Sequence, residues 1–182
     1  MSRILSYDEA SRFHGHKCPG LAMGYRVALA ALDALGGERA LDEELVAVVE
    51  NDSCAVDAIQ AVLGCTFGKG NLVFRDYGRH VYTVYRRETR EGVRISLRAP
   101  DQEAQQSRQE RRQMLLTAPQ EELLLVEPAT EPLPGYAPIE PSEPCDACGQ
   151  PTMRSRLVEV DGRRLCRPCA ERVAAESQGS ST

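Results

Sequence analysis

The first half of the chain alternates between the apolar spacing of amphipathic helices and that of a buried strand. From about Pro19 to Leu35, apolar residues recur every three or four positions, which predicts a helix with one buried face. Gly36-Gly37 ends this helix. Residues 45–49 are apolar without alternation, which is typical of a strand buried on both faces. The segment from Ala55 to Leu63 returns to the helical spacing and predicts another helix.

Capping signals mark where these helices begin and end. Ser6-Tyr7-Asp8-Glu9 fits a capping box, so a short helix is expected to run toward Phe13. Asp52 or Ser53 is a natural N-cap for the later helix, and Gly64 is a natural C-cap.

Three strand-like segments follow, at residues 72–75, 80–86 and 93–98, and the last two alternate apolar and polar side chains. Together these elements predict an α+β core of the order α-β-α-β-β-β, with helices against a mixed sheet. Asp101 to Leu116 is strongly charged and is expected to be solvated. Thr117 to Leu125 is expected to form a further short helix.

Proline and glutamate become frequent after this core, where the chain has little to bury. A cysteine-rich segment and a serine- and glycine-rich tail follow. We therefore expect four parts: a metal-binding core domain (1–126), a Pro/Glu-rich linker (127–143), a four-cysteine zinc finger (144–176) and a disordered tail (177–182).

Composition and charge narrow the classes of function. The formal net charge of -5 gives no reason to expect nucleic acid as a partner. No apolar run approaches the length of a membrane span, and the first residues carry no signal-peptide segment, so a cytoplasmic protein is expected. In that reducing compartment, 7 cysteines predict metal binding or reactive thiols rather than disulfides.

Four cysteines form two Cys-x2-Cys pairs, Cys145/Cys148 and Cys166/Cys169, separated by 17 residues. This spacing is typical of a structural zinc site. Asp161-Gly162 predicts the turn of a hairpin between the pairs, and a helix is expected after the second pair. A treble-clef-like finger is therefore predicted, in which four thiolates fill the zinc coordination shell. A redox pair of Cys-x2-Cys motifs is the alternative.

The segment His14-Gly15-His16-Lys17-Cys18-Pro19 places two imidazoles and a thiol directly before a predicted helix. Because Pro19 suits the first helical turn, Cys18 should lie at the positive end of the helix dipole, which favours the thiolate. Cys54 should lie in the first turn of the later helix, in the same electrostatic setting. Imidazole and thiolate bind borderline-soft metals well, so a metal or redox site is predicted. A helix cap with two incidental histidines is the alternative.

Three segments carry a resemblance to a known family: Phe13-His14-Gly15-His16-x-Cys18-Pro19-Gly20 with Gly24 and Arg26, Asn51-Asp52-Ser53-Cys54-x2-Asp57-Ala58-Ile59-Gln60, and Gly64-Cys65-Thr66-x-Gly68-Lys69-Gly70-Asn71. With the C-terminal finger, they resemble the FmdE family of formylmethanofuran dehydrogenase subunits. The resemblance implies an α+β core with a metal-binding pocket, an auxiliary treble-clef finger and a homodimer. It also implies an accessory or redox protein that belongs to, or assists, a molybdenum or tungsten oxidoreductase.

Within this resemblance, we expect His16, Cys18 and Cys54 to bind a second metal. His14 and Cys65 are further candidate ligands. Zinc is the default for a mixture of histidine and cysteine, with nickel or iron as alternatives.

The sequence assigns no catalytic residue, and the candidates are Cys18, Cys54, Cys65 and Lys69. Lys69 could hold an anionic ligand, although a solvated loop lysine is the simpler interpretation. The remaining polar residues near these motifs have expected supporting or bland roles: Asn51 and Asp52 orient the ligands, Asp57 and Gln60 are solvated, and His80 lies at a sheet edge.

The finger also resembles that of the TraR/DksA-type transcription regulators, which act on RNA polymerase. This suggests an alternative function, a regulatory protein whose finger contacts a partner and whose core thiols act as a sensor. Those regulators carry a long coiled coil before the finger, whereas residues 101–116 are short and lack heptads. A third possibility is a scaffold in which both metals are structural.

Overall fold

The computed structural model describes residues 3–98 and 107–179, which form two compact units whose boundary lies between Ala137 and Pro138. The first unit is α+β, as predicted. Its helices are α1 (Tyr7–His14), α2 (Pro19–Ala34), α3 (Cys54–Leu63), α4 (Arg108–Thr117) and α5 (Gln120–Leu123), and its strands are β1 (Leu45–Val49), β2 (Leu72–Phe74), β3 (Val81–Arg86), β4 (Gly92–Leu97) and β5 (Leu124–Pro128). Across the described ranges, no helix combines the length and apolar character that a membrane span requires.

The five strands form one mixed sheet in the order β2-β1-β3-β4-β5. β1 and β2 run parallel, because α3 carries the chain back between them, and the other neighbours are antiparallel. Every residue of β1 is buried, as its unbroken apolar run predicts. Ala47 and Val49 belong to the main core with the helices, whereas Val46 and Val48 pack with Tyr85 in a smaller cluster.

α2 and α3 cross closely because Gly24 has no side chain at their contact. A Cβ atom at Gly24 would lie 2.2 Å from the carbonyl oxygen of Ala55. The contact continues to the helix ends, where a Cβ atom at Gly20 would lie 3.2 Å from the Cβ of Cys54. The N-termini of the two helices therefore lie side by side.

The segment around α4 and α5 differs in part from the prediction. α4 begins after the N-cap Ser107, and residues 101–106 of the expected charged segment lie outside the described residues. The helix expected over 117–125 is reduced to α5, and the following residues form β5, which pairs with β4. Because Leu123-Leu124-Leu125-Val126 is an unbroken apolar run, its pattern fits either element. Pairing with the edge of β4 satisfies its backbone as a strand.

Most of the segment expected to be a linker, residues 127–143, belongs instead to the folded units. Its first residues complete β5. Further on, the Arg87 guanidinium donates to the carbonyl oxygens of Pro134 at 2.8 Å and Gly135 at 2.9 Å, and it lies 4.0 Å from the ring centroid of Tyr136. These contacts use backbone carbonyls and a cation–π pair, which hydropathy patterns do not report.

The second unit has the predicted order of knuckle, hairpin and helix. Its elements are β6 (Ser142–Pro144), β7 (Pro151–Met153), a 3-10 helix (Arg154–Arg156), β8 (Leu157–Val160), β9 (Arg163–Cys166) and α6 (Arg167–Gly179). Asp161 and Gly162 have φ angles of 50° and 72°, as a type I′ hairpin turn between β8 and β9 requires. α6 continues into the tail that was expected to be disordered from residue 177, and residues 180–182 lie outside the described part of the chain.

Candidate metal centres

The first candidate centre begins where α1 ends. Gly15 adopts a left-handed φ of 96° and donates its N–H to the carbonyl oxygen of Ser11, which terminates the helix at His14. The following turn brings His16 beside His14, with 4.4 Å between the ring centroids. His14 is half-buried and His16 is exposed.

Cys18 is the N-cap of α2, which confirms its predicted position at the positive end of that helix. Its Sγ accepts a hydrogen bond from the N–H of Leu21 at 3.3 Å. The thiol is buried, and the Tyr7 hydroxyl donates to the backbone carbonyl of the same residue at 3.3 Å. Both contacts fix the thiol at the helix terminus.

Cys54 is the first residue of α3, and Ser53 is its N-cap. Asn51 holds this turn, because its side-chain oxygen accepts hydrogen bonds from the Ser53 hydroxyl at 2.7 Å and from the Ser53 N–H at 3.1 Å. Its amide donates in turn to the Tyr82 hydroxyl at 3.1 Å. Asn51 therefore fixes the loop that carries the thiol, whereas Asp52, the other residue expected to orient the ligands, is exposed.

These turns bring four ligand atoms together, from His14, His16, Cys18 and Cys54, all within 4.8 Å of one another. The group contains the three ligands that we expected and one of the two further candidates. His14 Nε2 lies 3.8 Å from Cys18 Sγ. Burial, and then the neighbouring Cys18 thiol, raises the pKa of Cys54. Donor groups this close disfavour one another's charged forms unless a cation lies between them.

Asp57 orients His14, although its position in the sequence predicted a solvated carboxylate. Its Oδ2 lies 2.6 Å from His14 Nδ1, so this contact engages Nδ1 and leaves Nε2 for a metal. Gln60 donates to the other carboxylate oxygen at 3.3 Å and accepts the N–H of Phe67 at 3.3 Å. The available signal was the spacing of three residues between Cys54 and Asp57, which places both on neighbouring parts of one helix face.

The chemistry of this donor set suits zinc. Around a tetrahedral zinc, sulfur and nitrogen ligands lie about 3.3–3.8 Å apart, given the usual bond lengths. The four atoms, within 4.8 Å of one another, would need to close by roughly 1 Å. A carboxylate behind a ligating histidine is also the usual outer partner in zinc sites.

A cavity of about 660 Å³ borders this cluster. Cys18 and Cys54 line one part of it, and residues of β4, α4 and α5 line much of the remainder. His80, expected at a sheet edge, precedes β3, lines the same cavity and has its Nδ1 3.1 Å from the Tyr82 hydroxyl. Two candidate ligands therefore border a space that can hold a small molecule.

The structure does not bring Cys65 and Lys69 to this cluster. Cys65 is fully buried in the main hydrophobic core, and burial raises its pKa to about 12. Lys69 Nζ donates to the backbone carbonyls of Leu41 at 3.3 Å and Asp42 at 2.7 Å. Its ammonium group therefore fixes the loop before β1, which differs from both roles considered for it.

The second candidate centre lies in the finger, where four Sγ atoms lie within 4.8 Å of one another: Cys145, Cys148, Cys166 and Cys169. Gly149, with a φ of 74°, allows the tight turn after the first pair. The N–H of Cys166 donates to Cys145 Sγ at 3.2 Å, and Arg172 Nη2 lies 2.9 Å from Cys169 Sγ. This is the arrangement of a closed four-thiolate zinc site.

The finger thiols have opposed pKa shifts. Backbone N–H groups, first that of Cys166 and then that of Cys148, lower the pKa of Cys145 to about 6. The Cys166 thiol, followed by burial, raises the pKa of Cys169 to about 12. One thiolate is favoured at neutral pH while its neighbours suppress the next. A divalent cation removes this conflict, so the donor set fits zinc.

Comparison with known proteins identifies relatives of the chain. It is 30% identical over 192 aligned residues to a "Probable S-adenosyl-L-methionine-binding protein" of Archaeoglobus fulgidus, an alignment that covers 88% of this chain and 51% of the relative. The chain thus spans about half the length of that curated relative. A crystal structure of a tungsten formylmethanofuran dehydrogenase FmdE-like protein from Syntrophus aciditrophicus has a TM-score of 0.67 and 23% identity, covering 91% of this chain and 92% of that one. This similarity supports the fold.

Two protein-family descriptions match separate parts of the sequence. Residues 138–173 match the "Prokaryotic dksA/traR C4-type zinc finger", in agreement with the four-cysteine group of the second unit. Residues 13–133 match "FmdE, Molybdenum formylmethanofuran dehydrogenase operon", which is more than half of the chain. The protein therefore belongs to the FmdE family and carries a C4 zinc-finger domain.

Proposed function

We propose that this chain is a metal-dependent accessory or redox protein in which the FmdE core binds a transition metal and the finger binds a structural zinc. The observation that carries this proposal is the convergence of ligand atoms from His14, His16, Cys18 and Cys54 within 4.8 Å. Zinc is our first choice for the core metal, because both imidazole and thiolate are among its preferred ligands. If zinc is bound there, it supplies Lewis acidity.

The four donors differ in how firmly the protein holds them. The His14 ring is held by Asp57, and Cys18 is buried at a helix terminus. Cys54 is fixed through the turn that Asn51 organises. His16 is exposed on the turn between α1 and α2. We therefore propose that the first three are the permanent ligands and that His16 can yield its position to a substrate, as an open zinc site requires.

Metal content per chain, measured by elemental analysis of anaerobically purified protein, tests the proposal. We expect two metals per chain, of which mild chelation removes the one in the core. The double variant Cys18→Ser/Cys54→Ser should retain the fold and one tight zinc. Cys65→Ser is the matched control, because this thiol lies outside the cluster, and it should keep both metals.

Two results would contradict the core assignment. Wild-type protein with a single tight metal would leave the finger as the metal site and reduce the core cysteines to packing or thiol chemistry. Retention of both metals by the double cysteine variant would mean that other residues bind the second ion.

We further propose that the chain works in the cytoplasm, as a homodimer, in association with a molybdenum or tungsten oxidoreductase. The description of the matched family refers to a formylmethanofuran dehydrogenase operon, which supports such an association. The seven cysteines are free thiols, which suits a reducing compartment. Light scattering coupled to gel filtration tests the dimer, and affinity purification of the tagged full-length chain from its native cells tests the association. A monomer that purifies without any oxidoreductase component would contradict both.

The match of residues 138–173 to a dksA/traR-type finger favours a second candidate function, that of a regulatory protein. In that case the finger contacts RNA polymerase, and the core thiols sense metal or oxidant. Gel filtration of the full chain with purified RNA polymerase distinguishes the two functions. Co-elution supports the regulator, whereas separate elution supports the accessory or redox protein.

A further inference from the structure

The cavity beside the cysteine and histidine cluster has an apolar part built from three elements. Met23 of α2, Leu97 at the end of β4 and Met114, Leu115 and Leu123 from the α4–α5 region line it. Met23, Leu115 and Leu123 are themselves buried. Such a lining favours the hydrocarbon part of a ligand over water.

The charged part of the cavity lining is predominantly positive. It contains Arg98, Arg108 and Arg111, against one carboxylate, that of Glu122. The chain as a whole carries a formal net charge of -5, so this concentration of arginines opposes the overall charge. A positive lining next to apolar walls raises the local concentration of anions.

Two helix N-termini add to this potential. Pro19 and Gly20 of α2, together with Ser53 and Cys54 at the start of α3, line the same cavity. The first turns of these helices carry the positive ends of their dipoles, which favour a negative group nearby. A smaller adjoining pocket extends the positive surface through Lys17, Arg108 and Arg112.

We propose that this cavity binds a small organic acid, with its carboxylate near the arginines and its apolar body against the methionine and leucine side chains. The arginine guanidinium is the side chain best suited to a carboxylate, because it offers paired donors in one plane. The inference deepens the proposed function and rests on it for the role of the neighbouring cluster, beside which the bound acid would lie. It identifies the substrate class as amphiphilic carboxylates.

Isothermal titration calorimetry with matched aromatic probes tests this assignment on the full-length protein. 2-Naphthoate supplies a carboxylate on an apolar ring system, and 2-naphthalenemethanol supplies the same rings without charge. We expect 2-naphthoate to bind at least about tenfold more tightly, a factor that corresponds to ~1.4 kcal/mol. Raising the salt concentration should reduce this difference, since exposed charges are screened.

Three variants locate the probe. Arg108→Gln should weaken 2-naphthoate binding by about tenfold and leave the binding of the neutral probe unchanged. Glu122→Gln removes the opposing carboxylate and should strengthen 2-naphthoate binding. Arg94→Gln is the matched control: it removes an arginine of β4 that pairs with Glu127 outside the cavity lining, and it should change neither probe.

Equal affinity for the charged and neutral probes would overturn the inference, and so would unchanged 2-naphthoate binding in Arg108→Gln. If that variant does not fold, as judged by circular dichroism, Arg98→Gln replaces it with the same expected loss. Metal content is measured on each sample. Failure of 2-naphthoate to bind protein that holds two metals refutes the organic-acid inference alone. Discriminating binding to protein that holds only the finger zinc refutes the proposed core metal alone.

Discussion

Replacing Gly24 with alanine tests whether the close crossing of α2 and α3 assembles the core centre. Cys18 and Cys54 stand at the adjacent N-termini of these helices, so the separation of the thiols depends on how closely the helices approach. Gly24 lies two turns inside α2, where its missing side chain permits contact with the backbone of Ala55. The substitution therefore moves one helix without altering any ligand.

The magnitude follows from the contact distances. The new Cβ would lie 2.2 Å from the Ala55 carbonyl oxygen and 2.6 Å from its Cα, so the backbones must separate by roughly 1 Å to reach ordinary van der Waals contact. Overpacking of this kind costs about 1–3 kcal/mol, occasionally more. Alanine in a helix interior returns about 1 kcal/mol relative to glycine. We expect a net loss of up to about 2 kcal/mol in the free energy of unfolding.

The same displacement should weaken the core metal. Metal–ligand distances tolerate deviations of about 0.2 Å, well below the expected displacement. Denaturant unfolding gives the stability, and competition with a chromophoric chelator gives the metal affinity. Gly68→Ala is the matched control, because a Cβ atom there meets nothing within 4 Å. The reasoning fails if Gly24→Ala is more stable than the wild type and keeps its labile metal, since the helix-propensity gain would then be the whole effect.

Three further predictions address individual residues and the finger. Asp57→Ala should lower the affinity of the core metal by about 10–100-fold, as measured by chelator competition, because the carboxylate no longer orients His14; an unchanged affinity would show that the ring is positioned without it. Cys65 should resist iodoacetamide in the native protein at pH 8, because a thiol with a pKa of about 12 is ionised only to about one part in ten thousand; rapid alkylation of this residue, mapped by mass spectrometry, would contradict its buried position. Removal of the finger zinc with a strong chelator should make residues 138–179 sensitive to protease while the α+β unit stays resistant, because the finger core consists of little more than Leu165 and cysteines; a resistant metal-free finger would show that it folds without zinc.

Local patterns in the sequence predicted those elements whose signals are contained in short stretches. The apolar run of β1, the helical spacing in α2 and α3, and the cap at Cys18 each depend on neighbouring residues only. The Asp161-Gly162 turn likewise follows from the positive φ angles that these two residue types accept. This is why the α+β class and the shape of the finger were accessible before the structure.

Features that depend on distant contacts were missed or misjudged. The hydrogen bond between His14 and Asp57 joins residues 43 positions apart, so no local spacing reports it. Cys65 follows the cap of α3 in a loop of polar and glycine residues, yet it is buried in the core. β5 took the place of a predicted helix because an apolar run fits either element until a partner strand is known.

Anomalous diffraction at the zinc edge, from crystals of the full-length protein purified without added chelator, tests the central claim most directly. The account predicts two peaks per chain. One should lie between the four finger cysteines, with sulfur about 2.3 Å away, and the other between His14, Cys18 and Cys54, with nitrogen about 2.0–2.1 Å away. A single peak in the finger, with the core cluster empty in crystals of undamaged protein, would contradict the proposed core metal centre.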